Sequence, residues 1–163
     1  MRTTIMRGAL GVSLVLALSA CGTWQSVKDG TASTTKAIFE TKVKQMNLVV
    51  TARGVSLPVV LRIYQLKDDK PFATATYDQV LGGSDALKAA TLWSRDVTLG
   101  PGQRLELSEP MDEAANYVGV AAFYRNTDSA EWSVLVPKAQ WKKTDPVRLL
   151  AAERSLEIDP ERR

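Results

Sequence analysis

The chain has 163 residues, the length of one domain, with 45% hydrophobic and 24% charged residues and a formal net charge of +3. It contains no histidine and a single cysteine, Cys21. These counts exclude Ser-His-Asp and Cys-His catalysis, histidine-ligated zinc and any disulfide within the chain.

The first element is a targeting signal in three parts. Arg2 and Arg7 give a positive start, residues 8–18 are apolar, and Ser19-Ala20 supplies small residues before Cys21. The apolar run is too short to span a bilayer and reads as a secretory signal. Leu18-Ser19-Ala20-Cys21 resembles the lipobox of bacterial lipoproteins. That resemblance implies a diacylglyceryl group on the Cys21 thiol, cleavage after Ala20 and acylation of the new amine. The competing reading is an ordinary signal peptide with an accidental cysteine nearby. Two or more acyl chains anchor a protein stably, where one holds it marginally. Position 22 is Gly, not the Asp that retains lipoproteins at the inner membrane in enteric-type bacteria, so the outer membrane is the expected location. Losing residues 1–20 removes Arg2 and Arg7 and lowers the formal charge to +1. The remainder shows none of the concentrated basic character of a nucleic-acid binder.

Residues 21–36 are rich in Gly, Ser and Thr and read as a lipidated, flexible tether, with a mean reach of roughly 20 Å. Trp24 within it suits a membrane interface. Residues 37–163 are then expected to form one β domain. Residues 37–44 fit either a short helix or a lead into the first strand.

The strand signals follow in order. Met46, Leu48, Val50 and Ala52 alternate along one face, as do Val59, Leu61 and Ile63. Residues 68–71 end the second strand. Residues 76–93 read as an interrupted helical segment: Tyr77, Val80 and Leu81 share a face, Gly82-Gly83 breaks it, and Ser84 caps a second helix running through Leu92. Val97 and Leu99 precede a Gly100-Pro101-Gly102 turn, where Pro fixes φ and Gly accepts a positive one. Leu105 and Leu107 alternate again. Residues 117–124 are apolar on both faces, as a central strand requires. Residues 126–129 form a polar loop, and Trp132, Val134 and Val136 then share a face. Residues 147–150 and 156–158 give two weaker final strands. Period-two alternation with β-branched and aromatic enrichment is a strand signature. Seven or eight such strands plus a small helical insertion predict a mainly β, two-sheet sandwich.

Little in the sequence points to catalysis. There is no phosphate-cradling glycine loop, no GxSxG elbow and no calcium-loop pattern. The acids fall mostly in turns or at solvent-facing strand positions, where solvated charge accounts for them. No metal or cofactor is expected. Tyr117, Phe123, Tyr124 and Trp132 are expected in the core, Tyr64 is ambiguous beside Arg62, and Trp141, outside any clear strand, is expected to be exposed.

The order of these signals resembles one known family. Val60-Leu61-Arg62-Ile63-Tyr64-Gln65-Leu66-Lys67-Asp68, with Phe72 following, is similar to the second strand of the type VI secretion lipoprotein TssJ family. Pro101-Gly102 resembles its turn, Tyr117 through Arg125 its central strand, Trp132 the aromatic of the next strand, and Cys21 its lipidation site. The resemblance spans most of residues 46–137. It implies a transthyretin-like sandwich on the periplasmic face of the outer membrane, without enzymatic activity. It also implies binding to the periplasmic C-terminal region of TssM, in a complex with TssL. In the family the loop between the first two strands contributes to TssM binding, which maps here to Arg53, Gly54, Val55, Ser56 and Leu57, before Pro58. Many members carry a longer insert at this loop, and a plain hairpin turn is the competing reading. Two other functions remain open: a periplasmic cell-wall-binding or hydrolytic lipoprotein, which needs a cleft of convergent acids or aromatics, and a pilotin-like lipoprotein of another secretion system.

Overall fold

The computed structural model describes residues 42–125 and 131–159. The signal, the tether with Cys21 and the 126–129 loop lie outside the described residues.

Eight strands form two four-stranded sheets. They are β1 (Gln45–Ala52), β2 (Val59–Leu66), β3 (Thr91–Leu99), β4 (Arg104–Pro110), β5 (Tyr117–Phe123), β6 (Ser133–Pro137), β7 (Val147–Ala151) and β8 (Leu156–Ile158). One sheet has the order β4-β1-β7-β8 and the other β3-β2-β5-β6. The named strand pairs are antiparallel except β1 with β7. The expected mainly β two-sheet architecture is therefore observed.

Side chains alternate across a strand, and the predicted apolar sets land on the inner faces. Met46, Leu48, Val50 and Ala52 of β1 meet Leu61 and Ile63 of β2, Val118 and Val120 of β5, and Leu149 of β7 in one buried cluster. Each of these side chains is buried, and burying one aliphatic group of this size stabilises the fold by about 1.5–3 kcal/mol. Of residues 37–44, residues 42–44 form no helix and lead directly into β1; residues 37–41 lie outside the described residues.

Between β2 and β3 the chain makes three short helices: α1 (Lys70–Ala73), α2 (Tyr77–Gly82) and α3 (Asp85–Ala90). Thr76 and Gln79 form a reciprocal capping box at α2, and Gly83 closes that helix at φ +72°. Ser84 caps α3 as expected. The helices pack on the outer face of the second sheet, where Phe72, Val80 and Leu87 bury Tyr64, Leu66 and Ala121. This second layer is why β5 is apolar on both faces. It also resolves Tyr64, which is buried and meets the Phe72 ring edge-on at 5.6 Å.

Two expectations need correction. The helical reading of residues 84–93 runs too far, because α3 stops at Ala90 and Leu92 and Trp93 belong to β3. Strand pairing overrides the local helical signal: the Lys67 N–H donates to the Ala90 carbonyl at 3.0 Å, Leu66 pairs with Thr91 and Gln65 with Trp93. Trp141 is not exposed; only 5% of its surface reaches solvent. A 3₁₀ turn (Lys138–Lys142) lays its ring over the start of β1, and its Nε1–H donates to the Asn47 carbonyl at 2.9 Å. An indole needs such a partner when buried.

Candidate partner-binding surface

Strand direction sorts the connections. The chain enters β1 from Lys42 at one end of the sandwich, where the helical insertion, the β4–β5 segment and the 3₁₀ turn also lie. The β1–β2, β3–β4 and β7–β8 connections gather at the opposite end, together with the end of β5. Backbone bonds hold them together: the Ala52 N–H donates to the Gln103 carbonyl at 2.8 Å, and the Arg53 N–H to the Ala151 carbonyl at 2.9 Å.

The five residues expected to bind a partner form the tip of the β1–β2 connection. Gly54 sits at φ +69°, a conformation that only glycine adopts without strain. Val55 turns back and packs against the sandwich core. Leu57 is left 47% exposed. A groove of about 200 Å³ runs beside it, lined by Leu57, Pro58, Tyr124, Arg125, Glu153 and Arg154. The structure thus brings residues from β5 and the β7–β8 turn to the predicted loop. Sequence reading missed these, since nothing local ties Arg125 or Arg154 to residue 57; only the pairing of the sheets does.

The floor of the groove is fixed. The Tyr124 hydroxyl donates to the Ser155 carbonyl at 2.7 Å, and burial pushes its phenol up to about 12. Beside it the two sheets are stitched together: the Glu131 N–H donates to the Arg154 carbonyl at 3.1 Å and the Leu156 N–H to the Glu131 carbonyl at 2.7 Å.

From the groove an apolar strip continues onto the outer face of the second sheet through Phe123 and Val60, and Leu81 stands exposed on the helical layer across Arg62. Val60 pairs with Phe123 across the strands, and Val60 and Leu81 are 37% and 50% exposed. Arg62 organises this strip. Its Nε and Nη2 donate to both Asp96 carboxylate oxygens at 2.6 and 2.8 Å, a bidentate geometry suited to guanidinium. Its Nη1 donates to the last carbonyls of α2, Val80 and Leu81, at 3.1 and 3.2 Å. Its guanidinium carbon lies 5.1 Å from the centre of the Phe123 ring. The hydrogen bond from Arg62 holds the Asp96 carboxyl below its ordinary range and holds the guanidinium fully charged. Tyr77 completes the arrangement: its ring meets Phe123 and Trp132 edge-on at 5.6 and 5.5 Å, and its hydroxyl donates to the Tyr124 carbonyl at 3.0 Å. Phe123 and Trp132 are therefore half-buried beneath Tyr77 rather than in the sandwich interior.

Two acids elsewhere, on the first sheet and in the turn leading into β7, are engaged with neighbouring side chains. Glu106 pairs with Arg104 at 2.8 Å, and Asp145 accepts from Asn47 at 3.0 Å. Among the described residues no group of three or more Asp, Glu, His or Cys side chains is placed to hold a metal ion.

Residues 41–159 match the sequence model of the type VI secretion lipoprotein family, which includes VasD, EvfM and TssJ. The chain belongs to this family. Its fold agrees with that of solved members of the same secretion machinery. A chain of a type VI membrane complex is 29% identical, with a TM-score of 0.67 over 73% of this chain and 100% of that one. Lip of Serratia marcescens, described as a membrane-bound component of the type VI secretion system, is 23% identical, with a TM-score of 0.64 over 73% of this chain and 99% of that one. A chain in a structure described as the TssM C-terminal domain from EAEC is 29% identical, with a TM-score of 0.63 over 72% of this chain and 99% of that one. A search of curated proteins gives no significant match. As a type VI secretion lipoprotein, the chain carries its β1–β2 tip and groove at one end of the sandwich and Val60 and Phe123 on the adjoining outer face of the second sheet.

Proposed function

We propose that this lipoprotein is held at the periplasmic face of the outer membrane by lipid on Cys21. In this reading its loop end binds the periplasmic C-terminal region of TssM, which with TssL assembles the type VI secretion membrane complex. The observation that carries the reading is the polarity of the sandwich. The chain from Cys21 enters at one end, while Leu57, the adjoining groove and the Val60–Phe123–Leu81 strip lie at or toward the other. Family membership supports it, as does the likeness to a chain in the TssM C-terminal domain structure. The protein serves as a scaffold. Arginine is among the residues that recur as interface anchors, and tethering to a surface raises the local concentration of a partner that meets it there.

The direct test is capture by a TssM periplasmic fragment. The wild-type chain is retained, and Leu57→Asp lowers the affinity at least tenfold while leaving the thermal midpoint unchanged. Equal retention of the two removes the loop end from the interface. In cells, Cys21→Ser releases the protein from the membrane and abolishes secretion. Secretion sustained by the soluble form would eliminate anchoring as its role.

A further inference from the structure

The two ends of the sandwich differ in the chemistry of their cations. Around the loop end the described basic residues are Arg53, Arg104, Arg125 and Arg154. At the end where the chain enters β1 lysines predominate: Lys42, Lys44 and Lys138 gather around residues 111–113, Lys142 and Lys143 stand at the end of the 3₁₀ turn, and Arg95 is taken up by Glu109, which pairs with Met46 at the start of β1. Met111 through Glu113 link the group. The Met111 N–H donates to the Lys44 carbonyl at 2.9 Å, Lys138 Nζ donates to the Asp112 and Glu113 carbonyls at 2.8 and 3.2 Å, and Lys42 meets Glu113 at 4.0 Å. Three of the acids at this end adjoin the lysines, and each is engaged. Asp112 accepts from the Ala114 N–H at 2.8 Å, Asp145 from Asn47 at 3.0 Å, and Glu113 faces Lys42. Lys44, Lys142 and Lys143 are exposed, and none forms an ion pair among the described residues.

We propose that this lysine face is a membrane-contact surface for anionic phospholipid, lying against the leaflet that holds the acyl chains of Cys21. The inference rests on the lipid-anchor reading given above. Twenty residues separate Cys21 from Lys42, and fully extended they reach roughly 70 Å. The domain therefore stays within that distance of the bilayer, and the lysine face is where the chain from the point of attachment joins it, nearest along the sequence. Lysine is a compact, strongly hydrated charge on a flexible stem, which suits a fluid, diffuse anionic surface. Arginine, with its planar fork, suits a fixed partner. Each lysine near an anionic surface favours contact by roughly fivefold. That is weak for a free protein but effective for one already confined to the membrane. Contact at this face would turn the loop end toward the periplasm, where a partner spanning from the inner membrane meets it.

The single cysteine provides the test. The chain beginning at Cys21 is coupled through that thiol to a maleimide lipid in two sets of vesicles, neutral phosphatidylcholine and phosphatidylcholine with phosphatidylglycerol, and amide hydrogen exchange is followed. On anionic vesicles exchange at residues 112–116 and 138–144 slows at least about threefold relative to neutral ones, while residues 53–57 are unaffected. The effect disappears in 0.5 M salt, where screening shortens to about 4 Å, and in the Lys142→Glu/Lys143→Glu variant, whose exposed positions leave folding intact. Identical exchange on the two vesicle types, or protection that survives the charge reversal, overturns the proposal. Chemical coupling works whether or not cells acylate Cys21, so intact-mass measurement of the native protein tests that reading separately.

Discussion

Replacing Gly119 with Ala tests how the helical insertion is seated. Gly119 lies in the middle of β5, opposite Tyr64, on the face covered by α1. A Cβ built there would stand 3.0 Å from Cε2 and Cζ of Phe72 and 3.1 Å from its Cδ2, closer than the 3.4–4 Å of ordinary contact. The ring cannot simply swing away, because it is buried and wedged edge-on against Tyr64. One extra methyl in such a place costs about 1–3 kcal/mol, and for a domain of this size that lowers the thermal midpoint by about 4–12 °C. Urea unfolding followed by circular dichroism measures the loss. The cause is isolated in a Phe72→Leu background, where the shorter side chain leaves room and Gly119→Ala costs under about 0.5 kcal/mol. A Gly119→Ala protein as stable as wild type, or one whose loss is the same in both backgrounds, would refute the close approach of α1 to the sheet.

Three further outcomes follow from individual contacts. The Asp96 carboxyl is held below its ordinary range by Arg62, so its stabilising contribution is complete above the unfolded value near 4 and is lost as pH falls through the depressed folded value. The stability difference between wild type and Asp96→Asn, about 1 kcal/mol or less for so exposed a pair, is therefore flat from pH 8 to 5 and shrinks below pH 4 in urea titrations. Tyr124→Phe removes the bond to the Ser155 carbonyl and costs about 1–2 kcal/mol, and the wild-type ultraviolet titration contains a phenol with a midpoint of about 12 that this variant lacks. Gln65, the buried polar side chain of β2, donates to the Pro110 carbonyl and accepts from the Asp112 N–H, both at 2.8 Å; Gln65→Leu strands both groups and lowers unfolding free energy by about 2 kcal/mol or more.

How legible each element was depends on how far away its partners lie. The alternation in β1 and the first half of β2 could be read directly, because each strand buries one face against one core. Residues 117–124 announced a doubly buried strand, though not what covered the second face. The capping signals at Thr76 and Ser84 are local and were decipherable for Ser84; the end of α3 is not local, since it is β2, some twenty-five residues earlier, that draws Thr91 into a sheet. Trp141 misled for the same reason. Its burial depends on Asn47, nearly a hundred residues away, and no nearby periodicity records that contact. The loop at Arg53 to Leu57 was visible as a turn, but the groove beside it is assembled by β5 and the β7–β8 turn and has no signature in the neighbouring sequence.

That dispersal matters for a member of this family with a short β1–β2 connection. Six residues, Arg53 to Pro58, cannot project far from the sandwich, and Val55 is drawn back against the core. A partner gripping this end must therefore reach the strand face behind the tip as well as the tip itself. The structure presents that face ready-made: Arg62 ties the end of α2 to Asp96 and lies over Phe123, so Leu81 is fixed in line with Val60. A rigid apolar strip loses little conformational entropy on binding, where a long mobile loop would lose much. Under the proposed binding role, recognition at this end would rest on the preorganised sheet surface behind the tip, with Arg62 as its organising residue.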